Sequence, residues 1–352
     1  MTESSSIRVR VPGKAILAGE YAVLAGIPAI VLAVRRYLEC AATPSAYLEV
    51  EGIGFRWREG QPETKALRFA RIAAQTARRY LEGKGEHPDP LRLVLSDNLR
   101  APTGQKLGLG GSACASVAVT AAVVASARAQ LDRQLVFKLA AIAHGAAQGR
   151  PGSAIDVAAA TYGGTLWTRR FEVHPFLPLL EGPPRALADL VDRVPAPEIE
   201  KLPEPPGLTL VFSGQSASTP RLLGVIERYR EKDPKGFGAF MARSAEASDR
   251  LRRTLLAGEI DEAMTALADA GALLERLGED AAAPIVTEMH RQIAARVRGH
   301  GVAAKVSGAG GGDCSIAIGP EESMARLRRE LEGAGMVVLA PGVDADGVQV
   351  ER

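Results

Sequence analysis

Residues Lys106 to Ser116 read KLGLGGSACAS, and the fold follows from how this stretch is read. Gly108, Gly110 and Gly111 crowd in front of a small, apolar run from Ala113 to Ala127 that suits a packed internal helix. The first turn of a helix leaves N–H groups unpaired and carries the positive end of the peptide dipoles, so it attracts anions. Glycine lets such a backbone curl closely around phosphate oxygens. Ser112 adds a hydroxyl able to meet a phosphate oxygen or a magnesium ion. Glycine-rich turns also precede helices that bind nothing, so the segment needs company before it reads as a phosphate site.

Two well-known nucleotide loops can be weighed against it. Gly108, Gly110 and Ala113 fit the GxGxxA spacing of a dinucleotide fold, but that motif needs a strand ending at the loop, and the strand-like run Leu91 to Asp97 stops short. Asp132 stands about where a ribose-binding acid belongs, yet it follows the presumed helix and not a second strand. No GxxxxGK[ST] sequence occurs. A different nucleotide fold is indicated.

Working outward, VPGKAILAGEYAVLAGIPAIVLAV from Val11 to Val34 carries Lys14 and Glu20 between apolar runs. KVSGAGGGDCSIAI from Lys305 to Ile318 is a second glycine-rich loop entering an apolar strand. With the central loop, these resemble, in order, the three signature segments of the GHMP kinases, the superfamily of galacto-, homoserine, mevalonate and phosphomevalonate kinases. Finer agreements point to the phosphomevalonate kinase branch. Gly19 to Val23 reads GEYAV, with Tyr21 where mevalonate kinases usually carry histidine, and Gly308 to Cys314 reads GAGGGDC. QGRPGSAIDVAAATYGG from Gln148 to Gly164 resembles the family's QGxxSxxD segment, and SGQSAST from Ser213 to Thr219 its segment ending in AST.

The resemblance implies an α/β and α+β two-domain architecture, with an amino-terminal domain like ribosomal protein S5 domain 2 and a ferredoxin-like second domain. It implies ATP and Mg²⁺ as cofactors and a phosphorylated small molecule, 5-phosphomevalonate, as acceptor. A mevalonate kinase, another GHMP kinase, or an inactive metabolite or nucleotide sensor of the same fold are the competing readings. Lys106, Gly108, Leu109, Gly110, Gly111, Ser112 and Ala113 are the expected ATP contacts. Ser112 is the expected metal-linked hydroxyl, although Gly111 replaces the first serine of the family's GLGSS pattern. Lys138 to Arg150 contains no acid, so the glutamate that serves the metal in mevalonate kinases is absent.

Asp156 maps to the family's phosphoryl-transfer aspartate, though an Asp before an apolar helix is also a good cap. Lys14, otherwise an ordinary turn lysine, becomes the matching cation and an acceptor contact. Tyr21, Arg150, Ser153, Arg221, Ser307 and Ala309 are the other expected acceptor contacts, and their alternative is ordinary surface or loop chemistry. Asp313 is assigned to holding its loop. The five histidines form no metal-ligand spacing or Ser/His/Asp set and receive no role.

Composition bounds these readings. The 352 residues suffice for two domains, read as 1–182 and 207–352 around a proline-rich junction at 183–206. Lys and Arg number 43 against 41 Asp and Glu, a balance of +2 that argues against a polybasic nucleic-acid binder. Cys40, Cys114 and Cys314 cannot all pair, which fits a reducing, cytoplasmic compartment. No signal peptide or membrane span is evident, and a monomer or homodimer is expected. Strands are expected at Ile7–Val11, Ala29–Arg35, Tyr47–Val50, Leu91–Ser96, Thr165–Phe171, Leu208–Phe212, Val302–Val306, Cys314–Ile318 and Val337–Leu339. Helices are expected at Thr64–Leu81, Ala113–Ala127, Arg133–Ala147, within Pro220–Leu277 and at Ser323–Glu332.

Overall fold

The apolar opening of the chain becomes a long hairpin, in which β1 (Ile7–Ala18) pairs antiparallel with β2 (Ala29–Pro44) from Ile7 opposite Ala42 to Ala18 opposite Ile30. Both strands outrun the sequence expectation. Beyond Arg35, β2 alternates, with Leu38, Cys40 and Ala42 buried while Glu39 and Ala41 are exposed, so its charges end the apolar run without ending the strand. β1 passes Pro12–Gly13 through a register shift, and a second irregularity lies between Ile16 and Ala18. The computed structural model describes residues 6–149 and 152–352.

The hairpin of β3 (Glu49–Gly52) and β4 (Phe55–Arg58) follows, then α1 (Arg68–Gly83) and β5 (Leu91–Asp97). Next come α2 (Gly111–Ala127), α3 (Arg133–Gln148), α4 (Ile155–Tyr162) and β6 (Thr165–Thr168). The small residues of α2 let it lie on β1 and β2 while α1, α3 and α4 pack around it. Asp132 accepts from the N–H groups of Gln134 and Leu135 at 2.9 and 3.1 Å, so it is the cap of α3 and no ribose ligand.

The proline-rich stretch is structured. Pro184 opens α5 (Pro184–Arg193), where a missing N–H does no harm, and β7 (Ile199–Leu202) pairs with β6. These elements extend the first half of the molecule.

The second half runs β8 (Thr209–Phe212), α6 (Thr219–Lys232), α7 (Pro234–Ala257), α8 (Ile260–Asp280), α9 (Glu288–Arg298), β9 (Ala303–Val306), β10 (Cys314–Ile318), α10 (Glu321–Gly333) and β11 (Val338–Leu339). Its antiparallel sheet has the order β11-β8-β10-β9, the fourth, first, third and second strands of a ferredoxin-like arrangement. The first sheet has the path β12-β1-β2-β5-β3-β4, with β6 on the start of β2. Its edge strand β12 (Gln349–Glu351) brings the end of the chain back to β1. The halves interlock elsewhere too. Arg252 of α7 grips Glu200 of β7 with two bonds of 2.6 and 2.9 Å, and Tyr21 and Ala22 belong to the same apolar cluster as Leu222 and Ile226 of α6.

Candidate active site

A cavity of about 710 Å³ opens where the two sheets meet, and all three glycine segments line it. The central segment forms its floor. Gly110 is the left-handed N-cap of α2 with φ 79°, and Gly108 has φ 77°. A Cβ on Gly108 would fall 2.5 Å from the Asp313 side chain, and one on Gly110 would fall 2.9 Å from Cγ of Lys14. Only glycine fits these two places, and the result is a cradle of backbone at a helix amino terminus. Lys106, Gly108, Leu109, Gly110, Gly111 and Ser112 line the cavity, while Ala113 is buried just behind them.

Lys14 reaches the cradle from β1. Its N–H donates to the Leu109 carbonyl at 2.9 Å and its ammonium to the Gly108 carbonyl at 3.0 Å. Asp156 enters from the second position of α4, two residues beyond the left-handed Ala154, which is the N-cap. Its carboxylate therefore stands in the first turn of the helix, where the dipole favours it, without being the cap. Lys14 and Asp156 both line the cavity and both act on the buried Cys114 thiol, the carboxylate raising and the ammonium lowering a pKa that burial pushes up.

The third segment forms a clasp. Asp313 sits at φ 59° and accepts from the Ala217 N–H at 3.0 Å, while its own N–H donates to the Gln215 carbonyl at 2.7 Å. Burial raises its pKa, against the Ala217 hydrogen bond and the charges of Lys14 and Lys106. Ser216 donates to the Lys106 carbonyl at 3.0 Å, which joins the SGQSAST loop to the cradle. Ser307 Oγ accepts from the Ile16 N–H at 2.9 Å and donates to the Ile16 carbonyl at 3.2 Å, pairing both backbone groups at the irregularity of β1. The Tyr21 hydroxyl donates to the Ala309 carbonyl. Tyr21 also lines the cavity, and burial raises its pKa with help from Glu20.

The remaining expected contacts divide. Ser153 lines the cavity, and its carbonyl accepts from the Phe171 N–H at 3.1 Å. Arg221 is exposed in the first turn of α6 and lies outside the lining. Arg150 lies outside the described residues.

Several lining residues escaped the sequence reading. His144 of α3 is 3% exposed, and its Nε2 lies 3.1 Å from Ser112 Oγ. Burial lowers its pKa against the pull of Asp156. Glu20 takes a buried ion pair from Lys305 and a hydrogen bond of 3.3 Å from the Gly308 N–H. Lys65 and Arg100 add positive charge to the rim, and Ile53, Leu67, Phe69 and Leu95 form an apolar wall. Only Glu20 left a signal in sequence, a lone acid within an apolar run.

Among the described residues no cluster of three or more His, Cys, Asp or Glu side chains could hold a metal ion, and no helix is long and apolar enough to cross a membrane. The three cysteines are free and buried. The cavity offers oxygen donors in Ser112 and Asp156, cations in Lys14 and Lys106, and oriented N–H groups, a set suited to gathering phosphates.

Comparison with known proteins gives the same direction. The family model of the N-terminal domain of GHMP kinases matches residues 68–164 and that of the C-terminal domain matches residues 255–336. A phosphomevalonate kinase of Streptomyces sp. (strain CL190) is 30% identical over 367 aligned positions, covering 93% of this chain and 94% of the relative. Among solved structures, a Lin0012 protein from Listeria innocua superposes with a TM-score of 0.91 at 28% identity, over 99% of this chain and 100% of that one. Streptococcus pneumoniae phosphomevalonate kinase in complex with phosphomevalonate and AMPPNP superposes with a TM-score of 0.82 at 23% identity, over 98% and 99%.

Proposed function

The chain belongs to the GHMP kinases, and from that premise we propose that it transfers the γ-phosphoryl group of ATP to 5-phosphomevalonate, giving 5-diphosphomevalonate and ADP. One observation carries the reading: the cradle at the start of α2, Lys14 and Asp156 line a single cavity of about 710 Å³. The choice of acceptor follows the 30% identical relative.

An oxygen of the acceptor phosphate attacks the γ-phosphorus, the bond from that phosphorus to the β–γ bridging oxygen breaks, and ADP departs with the electron pair. The second pKa of a phosphate monoester is about 6, so the attacking oxygen arrives deprotonated at neutral pH. The obstacle is repulsion between two anions, and catalysis reduces to alignment and charge neutralisation. Lys14 stands over the cradle with an ammonium free of any carboxylate partner among the described residues, and Lys106 adds a second cation at the rim. The N–H groups that open α2 receive the phosphates of ATP. Asp156 holds charge opposite Lys14 and takes no proton from this acceptor.

The hard oxygen donors of Ser112 and Asp156, without a three-carboxylate cage, fit Mg²⁺, which retains waters and substrate phosphates as ligands. When bound, that ion neutralises phosphate charge. The cytoplasm is the fitting compartment, since it supplies ATP and keeps Cys40, Cys114 and Cys314 reduced. An ADP-release assay across phosphomevalonate, mevalonate, homoserine and galactose tests the reading. Turnover confined to phosphomevalonate supports it; better turnover with another acceptor, or none with any of the four, contradicts it.

A further inference from the structure

Ser112 Oγ has one hydrogen-bond partner among the described residues, His144 Nε2 at 3.1 Å. The imidazole is held from both sides. It projects from α3, is 3% exposed, and rests on the Phe69 ring of α1 with centroids 5.1 Å apart and planes inclined by 36°. Ser112 belongs to the first turn of α2, so α3 brings the imidazole to the hydroxyl and α1 backs the ring. The stretch from Lys138 to Arg150, which lacks the acid expected of a mevalonate kinase, is the stretch that delivers His144.

A hydroxyl has one proton and two lone pairs. If the proton points into the cavity, Ser112 donates to a phosphate oxygen; if it points away, only lone pairs face the cavity and the group suits a cation. We infer that His144 is a positioning residue whose unprotonated Nε2 accepts the Ser112 proton and so turns the Oγ lone pairs toward Mg²⁺. The inference rests on the reading of Ser112 as the metal-linked hydroxyl. Through it, a neutral residue acting at one remove takes the place of a second acidic ligand, and groups that orient a ligand in this way typically alter metal affinity about 10- to 100-fold.

Calorimetric titration with AMPPNP, with and without Mg²⁺, gives the factor by which the ion strengthens nucleotide binding. Ser112→Ala should cut that factor about tenfold, and His144→Phe, which keeps an aromatic ring against Phe69, should cut it about as much. Because both changes remove one device, the double variant should lose no more than either single one. An unchanged factor in Ser112→Ala overturns the metal reading of Ser112. A loss in Ser112→Ala with an unchanged factor in His144→Phe overturns the role of His144 alone, as do losses that multiply in the double variant. A second measurement needs no substitution. The ¹⁵N spectrum of the imidazole in the unaltered chain saturated with Mg²⁺ and AMPPNP should show Nδ1 protonated and Nε2 bare; a protonated Nε2 overturns the inference.

Discussion

Glu20 and Lys305 form an ion pair buried between the two halves of the molecule, their side chains 3% and 0% exposed. Lys305 also donates to the carbonyls of Val306 and Ile16, at 2.7 and 3.4 Å, and Glu20 receives the Gly308 N–H. Burial lowers the Lys305 pKa and the Glu20 carboxylate opposes that shift. Either partner left alone is an uncompensated buried charge. Glu20→Gln or Lys305→Met should therefore each cost about 3–5 kcal/mol, and the pair changed together distinctly less than the sum. Urea unfolding of the three variants measures this, and strictly additive losses would show that the two charges are not coupled.

A second prediction concerns pH. His290, in the first turn of α9, has a pKa lowered from 6.5 to about 4 by burial, and its Nδ1 accepts from the Thr287 N–H at 3.2 Å. Between those pH values the unfolded chain binds more protons than the folded one, so stability is full above about 6.5 and falls as the pH drops toward 4, by at most about 3 kcal/mol. His290→Asn offers an amide oxygen in place of Nδ1 and should flatten that part of the stability profile. An unchanged slope would remove His290 from the account.

Ile53 and Gly54 make the turn between β3 and β4, and both have positive φ, 53° and 75°. Such a two-residue turn favours Asn-Gly, and a β-branched residue there is strained. Yet Ile53 is 54% exposed and lines the cavity beside Phe69 and Leu95, an apolar wall that would suit a flat nucleobase. Ile53→Asn should raise stability by about 1 kcal/mol and raise the KM for ATP several-fold. Higher stability with an unchanged KM would make Ile53 a turn residue only.

Asp156→Asn keeps the shape of the side chain and removes its charge. Turnover should fall by about 100-fold or more, while AMPPNP affinity measured without Mg²⁺ and Tm stay near those of the parent. A stable variant with nearly full turnover would exclude Asp156 from the chemistry.

The parts of the site that sequence exposed are those with a local cause. Gly108, Gly110 and Ser112 announce themselves because a cradle needs left-handed glycine before a helix, and Lys14 and Asp156 because they lie in recognisable segments. What escaped is tertiary. Glu20 meets Lys305 across 285 residues, and His144 reaches Ser112 only because α2 and α3 pack side by side. Tyr21 and Ser307 have hydroxyls fit for a phosphate, and in the folded chain both donate to backbone carbonyls. In the fold, β7 and β12 were invisible because short edge strands are made by the partner they join, β6 and β1, more than by their own pattern.

The central claim is that a phosphate group is the acceptor, and ³¹P spectroscopy of the product tests it most directly. With the protein, Mg²⁺, ATP and phosphomevalonate, the account predicts a new pair of mutually coupled diphosphate resonances growing in step with ADP, and no comparable phosphomonoester product when mevalonate replaces phosphomevalonate. ADP formation without a new P–O–P coupled pair, or phosphomonoester formation from mevalonate at an equal or greater rate, would contradict it.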